Sequence, residues 1–208
     1  MRVTREQAAQ NRERVLDTAA RLFRERGFGG IGVADLMKSA GLTHGGFYGQ
    51  FESKEDLMAQ ACARALEGSL NRWRRLAERA SAAPLSAVTS AYLSPAHRDR
   101  PGDGCVLAAL GAEASRAGPA VRRSVTEGTR SYVEMLADLV PGRSKAVKHE
   151  RALAAFASMV GAIVLARAVD DAALSREILQ TVAASISDPR SQTSDATRPR
   201  DGQEKGNR

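Results

Sequence analysis

The 208-residue chain has only two cysteines and three histidines. Two cysteines cannot build a disulfide framework, and this usage fits a reducing cytoplasm. With so few scattered soft ligands, no structural zinc site is expected. No apolar run approaches the roughly 20 residues of a membrane span, and no membrane association is expected. No basic-then-apolar leader opens the chain, so no secretory signal is read. The tools of an enzyme are also missing. There is no nucleophile elbow, no phosphate-cradling glycine loop and no HExxH spacing. Glu113, Glu127 and Glu134 are scattered without an evident partner. No catalytic residue, metal or cofactor is therefore expected.

Hydrophobic residues make up 43% and charged residues 26%, a globular composition that excludes disorder for most of the chain. The length suits one large domain or two small ones. Lys and Arg number 31 against 24 Asp and Glu, a net charge of +7 that favours a polyanionic partner. Residues 1–80 hold 14 basic against 10 acidic groups, and residues 81–187 hold 12 against 10, so the excess leans modestly toward the N-terminal third. A solvated basic surface fits the same arithmetic.

The periodicity is helical throughout. Val15, Ala19, Leu22 and Phe23 recur at helix spacing, with Gly27 as the stop. A short set at Val33, Leu36, Met37 and Ala40 ends at Gly41, and a third piece runs through Phe47, Tyr48 and Phe51. Ser53 to Asp56 reads as a capping box opening a long helix, with Leu57, Ala61, Ala65, Leu70, Trp73 and Ala77 on one stripe. Pro84 starts the next helix, and residues 94–104 read as a loop. Residues 105–117 look helical, and Gly118-Pro119 opens a helix that ends at Pro141-Gly142. Leu153, Phe156, Val160, Ile163 and Val164 lie on a helix that is apolar on nearly every side. Leu174, Ile178, Val182 and Ile186 mark the last one. Residues 188–208 are polar and read as a disordered tail.

Residues 33–51 carry the sharpest signal. Two short helices meet at Gly41, where a positive φ is expected, and Leu36, Ala40, Leu42 and Phe47 would pack the pair together. That is helix-turn-helix geometry, in which early residues of the second helix meet base edges in the major groove. The second helix would start near Thr43 and expose His44, Gly45, Gly46, Tyr48, Gly49 and Gln50. On spacing alone, an ordinary αα-hairpin remains open.

The run from Arg14 to Leu57, through AARLFRERGF, LMKSAGLTHGGFYGQF and SKEDL, resembles the DNA-binding domain of TetR/AcrR-type transcriptional regulators. The resemblance implies an all-α homodimer. Its N-terminal three-helix helix-turn-helix DNA-binding domain would span residues 1–52. A helical effector-binding and dimerisation domain would span 53–187, ahead of the 188–208 tail. By position it implies DNA contacts from Thr43, His44, Gly45 and Gln50, and phosphate contacts from Tyr48 and Lys54. Phe47 and Phe51 match buried packing positions. Ile31, Gly32 and Ala34 depart from the common pattern, so the second helix is expected to contribute less to DNA binding. Arg2, Arg5 and Arg12 read either as a phosphate-contacting arm or as a solvated helix face.

The C-terminal two-thirds has no comparably sharp match. Side-chain type and placement pick out Trp73, Tyr92, His97, Cys105, Glu113, Tyr132 and Met135 as candidate lining of an effector pocket, with plain core as the alternative for each aromatic or Met. Cys105 follows Gly-Asp-Gly at an expected helix start, where a dipole would lower a thiol pKa, whereas a buried small hydrophobe is the plainer reading. The leading function is a ligand-responsive repressor on a palindromic operator, with an unknown small-molecule effector and a cytoplasmic location. Two alternatives remain. One is a helical small-molecule-binding protein or enzyme without DNA binding. The other is an architectural DNA binder without an effector.

Overall fold

The computed structural model describes residues 4–187. Arg2 and the tail expected at 188–208 lie outside them. Every regular element among the described residues is helical.

Helix α1 (Arg5–Arg26) opens at Thr4, whose hydroxyl accepts the Gln7 N–H at 3.1 Å. It stops at Gly27, which adopts φ 78°. Its inner face buries Val15, Leu16, Ala19, Leu22 and Phe23, the stripe expected from the sequence. Helix α2 (Val33–Ser39) turns off at Gly41, φ 72°, a left-handed conformation that a side chain would strain.

Helix α3 (Lys54–Arg79) is capped by Ser53, whose Oγ accepts the Asp56 N–H at 3.0 Å. The Asp56 carboxylate accepts the Glu52 N–H at 3.2 Å, one residue earlier than a strict capping box requires. Its 26 residues give about 39 Å of length at 1.5 Å per residue. The early turns pack on α1, and from Leu66 onward the helix packs on the C-terminal body. The Tyr132 hydroxyl donates to Leu66 O at 3.2 Å. The expected boundary at residue 53 therefore falls where one rigid rod starts to serve both halves.

The body contains α4 (Pro84–Tyr92), α5 (Pro95–Asp99), α6 (Val106–Ala114), α7 (Pro119–Leu139), α8 (Lys145–Ala168) and α9 (Ala172–Ser187). Residues 94–104, expected as a loop, hold α5 and a 3₁₀ turn at Pro101–Asp103. The Ser94 hydroxyl accepts the His97 N–H, and Pro95 sits in the first turn, so the Ser-Pro pair starts a helix.

Trp73 is the hub of the body. Its ring meets Tyr92 at 5.3 Å, Tyr132 at 4.7 Å and Phe156 at 6.2 Å, joining α3, α4, α7 and α8 through edge-to-face contacts.

Helix α8 buries Ala152, Ala155, Phe156, Met159, Ala162, Ile163 and Ala166 on one stripe. Leu153, Val164 and Leu165 are exposed on the other side. By length and composition α8 is apolar enough to cross a membrane, its most apolar 18-residue stretch having a mean hydropathy of 1.5. That corrects the expectation that no segment qualifies, because small residues such as Ala and Gly extend the apolar stretch beyond its large side chains. Here the helix packs against α7 and α9.

Candidate functional site

The α2–turn–3₁₀ unit is held by its backbone. The Ala40, Gly41 and Leu42 N–H groups all donate into the end of α2, Leu42 to Met37 O at 2.9 Å. Below the unit, Leu36, Met37, Phe47 and Phe51 are buried, with Phe47 stacked on Phe51 at 5.6 Å. Above it, Thr43, His44 and Gly45 are exposed together, and Tyr48 stands out at 70% exposure. The His44 and Tyr48 rings touch edge-to-face at 6.1 Å.

One expectation for this face needs correction, and two of its residues, Gln50 and Lys54, are also engaged within the protein. A helix from Thr43 is replaced by a single 3₁₀ turn, His44–Gly46, followed by one turn over Phe47–Phe51. Gly45, Gly46 and Gly49 each weaken helix propagation by roughly 1 kcal/mol, and together they prevent a continuous α-helix. Gln50 is half-buried, and its Oε1 is enclosed without a hydrogen-bond partner. Its amide oxygen turns inward, unlike the outward side chains beside it. Lys54 donates its ammonium to Phe28 O at 2.7 Å and Ile31 O at 2.8 Å. Two of its three protons thus close the α1–α2 loop onto the start of α3. Arg12 is also committed, to Gln60 Oε1 and over the Phe51 ring at 5.1 Å. Arg64 binds Asp17 at 3.1 Å and pairs with Glu13 at 2.6 Å, pinning α1 to α3.

Residues 15–61 match the family described as bacterial regulatory proteins, tetR family. The likeness to that family covers the N-terminal head. It is 36% identical over 59 residues to the HTH-type transcriptional regulator AcrR of Shigella flexneri, covering 28% of this chain and 27% of that protein. It is 30% identical over 91 residues to the HTH-type transcriptional repressor KstR2 of Mycolicibacterium smegmatis, covering 44% of each. The chain thus spans less than half the length of these relatives. The fold is shared with the reduced form of E. coli NemR, at TM-score 0.71 and 24% identity, covering 85% of this chain and 95% of that one.

The C-terminal body contains an open groove of about 530 Å³ between α3, α4 and the segment after α5. Trp73, Tyr92 and His97, three of the residues singled out from the sequence, line it. The other four candidates lie elsewhere. Tyr132 is fully buried in the core, because it bridges Trp73 and Phe156. Met135 faces a separate shallow groove between α3 and α7. Glu113 points toward the N-terminal head and accepts the Phe28 N–H at 2.7 Å. Cys105 is buried behind the groove, 2% exposed, so its place at the start of α6 does not present the thiol to solvent.

Sequence reasoning missed the arginines. Arg72, Arg75, Arg79 and Arg100 line the groove, with Asp103 as its one carboxylate. The spacing of Arg72, Arg75 and Arg79 on one face of α3 was the available signal. Two more arginines hold the segment that walls the groove. Arg24 of the head donates to Gly104 O at 2.8 Å. Arg167 of α8 donates to His97 O at 2.8 Å and Arg98 O at 2.9 Å.

His97 is locked in this wall. Its Nδ1 lies 2.6 Å from Tyr92 O, and its Nε2 accepts the Cys105 N–H at 2.9 Å. The carbonyl requires Nδ1–H and the amide requires a bare Nε2, so these partners assign the neutral tautomer. Burial lowers the His97 pKa from its ordinary value. Burial, then the neighbouring Cys105 thiol, raises the Tyr92 hydroxyl well above its own. That hydroxyl is enclosed beside the Cys105 thiol.

Proposed function

We propose that this chain is a DNA-binding transcriptional repressor. It would act as a homodimer that leaves a palindromic operator when an effector occupies the C-terminal body. One observation carries the reading. Thr43, His44, Gly45 and Tyr48 form one exposed face on a helix-turn-helix unit whose other face is packed solid. No packing role explains a tyrosine left so exposed above two buried phenylalanines. It suits a hydroxyl donating to a phosphate, while Thr43 and His44 meet base edges. The backbone at Gly45 approaches closely because nothing lies within 4 Å of that position.

A two-fold dimer through the exposed side of α8 would place two such faces about 34–36 Å apart, or one helical turn. The effector's action is then a shift between two spacings of the heads, reached through the rigid α3 rod and the α6 contact at Phe28. Selection from random DNA, followed by gel shift on the recovered fragment, tests the reading. A palindrome with half-sites one turn apart is expected. Binding with no sequence preference sinks the specific-regulator reading in favour of an architectural DNA binder, and no binding at all favours a helical small-molecule-binding protein.

A further inference from the structure

The groove wall mixes two kinds of surface. Trp73, Leu76 and Tyr92 give it an apolar, aromatic floor, and four guanidinium groups stand over that floor against a single carboxylate. Arg72, Arg75 and Arg79 come from one face of α3, and Arg100 faces them from the segment after α5. Arg72 is spoken for, donating to Asp103 O at 3.2 Å. The side chains of Arg75, Arg79 and Arg100 make no hydrogen bond or ion pair among the described residues. Three exposed arginines with unpaired side chains line one concave site, so their positive potential adds up there. A solvated basic face would spread its arginines outward over a convex surface instead.

Building on the effector reading above, we infer that this groove takes an amphipathic organic anion. The apolar body lies on Trp73, Leu76 and Tyr92. The anionic head, a carboxylate or a group of the same charge, is received by Arg75, Arg79 and Arg100. A planar guanidinium matches a carboxylate with two parallel hydrogen bonds, which an ammonium cannot do. The volume of about 530 Å³ suits a small organic molecule and not a macromolecule. A neutral ligand would leave the three charges unmatched, and a cation would be repelled by them. The site is wired toward the head. Arg72 holds Asp103 O, and the next carbonyl, Gly104 O, is held by Arg24 of α1. An anion that draws Arg72 or Arg100 inward pulls on the same short segment that α1 grips.

Trp73 is the chain's one tryptophan, so intrinsic fluorescence reports this groove directly. The full chain is titrated with decanoate and 2-naphthoate as anions, decanol as the neutral match, and decyltrimethylammonium as the cation. Gel shift on the selected operator runs in parallel. Both anions are expected to give saturable shifts, with decanol and the cation at least about tenfold weaker. The double variant Arg75→Ala/Arg79→Ala should lose about tenfold in anion affinity while keeping its circular dichroism and melting profile. The Lys/Lys counterpart should fall between the two. Equal binding of decanol and decanoate, no saturable shift with either anion, or an unchanged double variant overturns the anion site. If an anion saturates the groove but the operator stays bound, the anion site stands and the effector reading fails. If decyltrimethylammonium alone releases the operator, the effector reading stands and the anion site fails.

Discussion

The Glu113 carboxylate accepts the backbone N–H of Phe28 at 2.7 Å, across 85 residues of sequence. This bond joins α6 of the C-terminal body to the loop that follows α1. It is possible because residue 27 is glycine. A Cβ there would lie 2.6 Å from Glu113 Oε1, and φ is +78°. Lys54 closes the other side of the loop through Phe28 O and Ile31 O. The head is therefore docked by one anion and one cation acting on a few consecutive backbone groups.

Glu113→Ala removes a charged acceptor and strands the Phe28 N–H. A loss of about 2 kcal/mol is expected, read as a fall in Tm of roughly 4–8 °C. Glu113→Gln keeps an acceptor and should lose less. An unchanged Tm for the alanine variant shows that the contact contributes nothing to docking.

Lys54 and Tyr48 separate structural from DNA-contact roles. Lys54→Ala should lower Tm without any DNA present, since two charge-assisted bonds to carbonyls disappear. Tyr48→Phe should leave Tm unchanged and weaken operator binding about equally for all sequences. Its salt dependence should stay the same, because the lost group is neutral. Loss of discrimination between operator variants in Tyr48→Phe contradicts a phosphate contact.

His97 sets a pH dependence of stability. Its folded pKa lies below the ordinary value, so between the two the unfolded state binds a proton that the native state refuses. Stability is then full above the unfolded pKa, near 6.5, and falls as pH drops through it toward the folded value. Protonating Nε2 also breaks its bond from the Cys105 N–H. Urea midpoints at pH 7.5 and pH 5.5 should differ more for the wild type than for His97→Gln. Equal differences remove His97 from the account.

The proposed dimer would form through the outer side of α8. Leu165 is 56% exposed there, near Val164, and a position as open as Gly161 meets no atom within 4 Å. Gly161→Arg should fold normally as a single chain and fail to dimerise, and Leu165→Glu should do the same. Light scattering at micromolar concentration checks both. A wild-type monomer, or an intact dimer in Gly161→Arg, refutes this surface.

The two thiols should be slow to react in the native state. Both are buried, and burial pushes the Cys62 thiol up to about 12. Native alkylation at pH 8 with mass mapping should label neither quickly, and urea should expose both. Rapid labelling of Cys105 would show that its thiol is reached more easily than its burial implies.

The sequence by itself determined the helix order, the α1 stripe, the Gly41 turn and the family that the head resembles. These are local matters, because helix periodicity, caps and positive-φ glycines act within a few residues. It also placed Thr43, His44, Gly45 and Tyr48 on one outward face, since a short turn over buried Phe47 and Phe51 leaves them nowhere else to point. Only the tertiary structure decided what Lys54, Gln50, Glu113 and Met135 do. Each has a side chain long enough to reach partners that no spacing rule names. Lys54 found two carbonyls more than 20 residues earlier, and Glu113 found an amide 85 residues away. The arginine groove belongs to the same class. Three of its guanidiniums share one face of α3, but the fourth, and the concavity that makes them a site, come from packing the segment after α5 against that helix. A buried or convergent charge depends on what the chain brings near it from a distance, and that information lies in the fold.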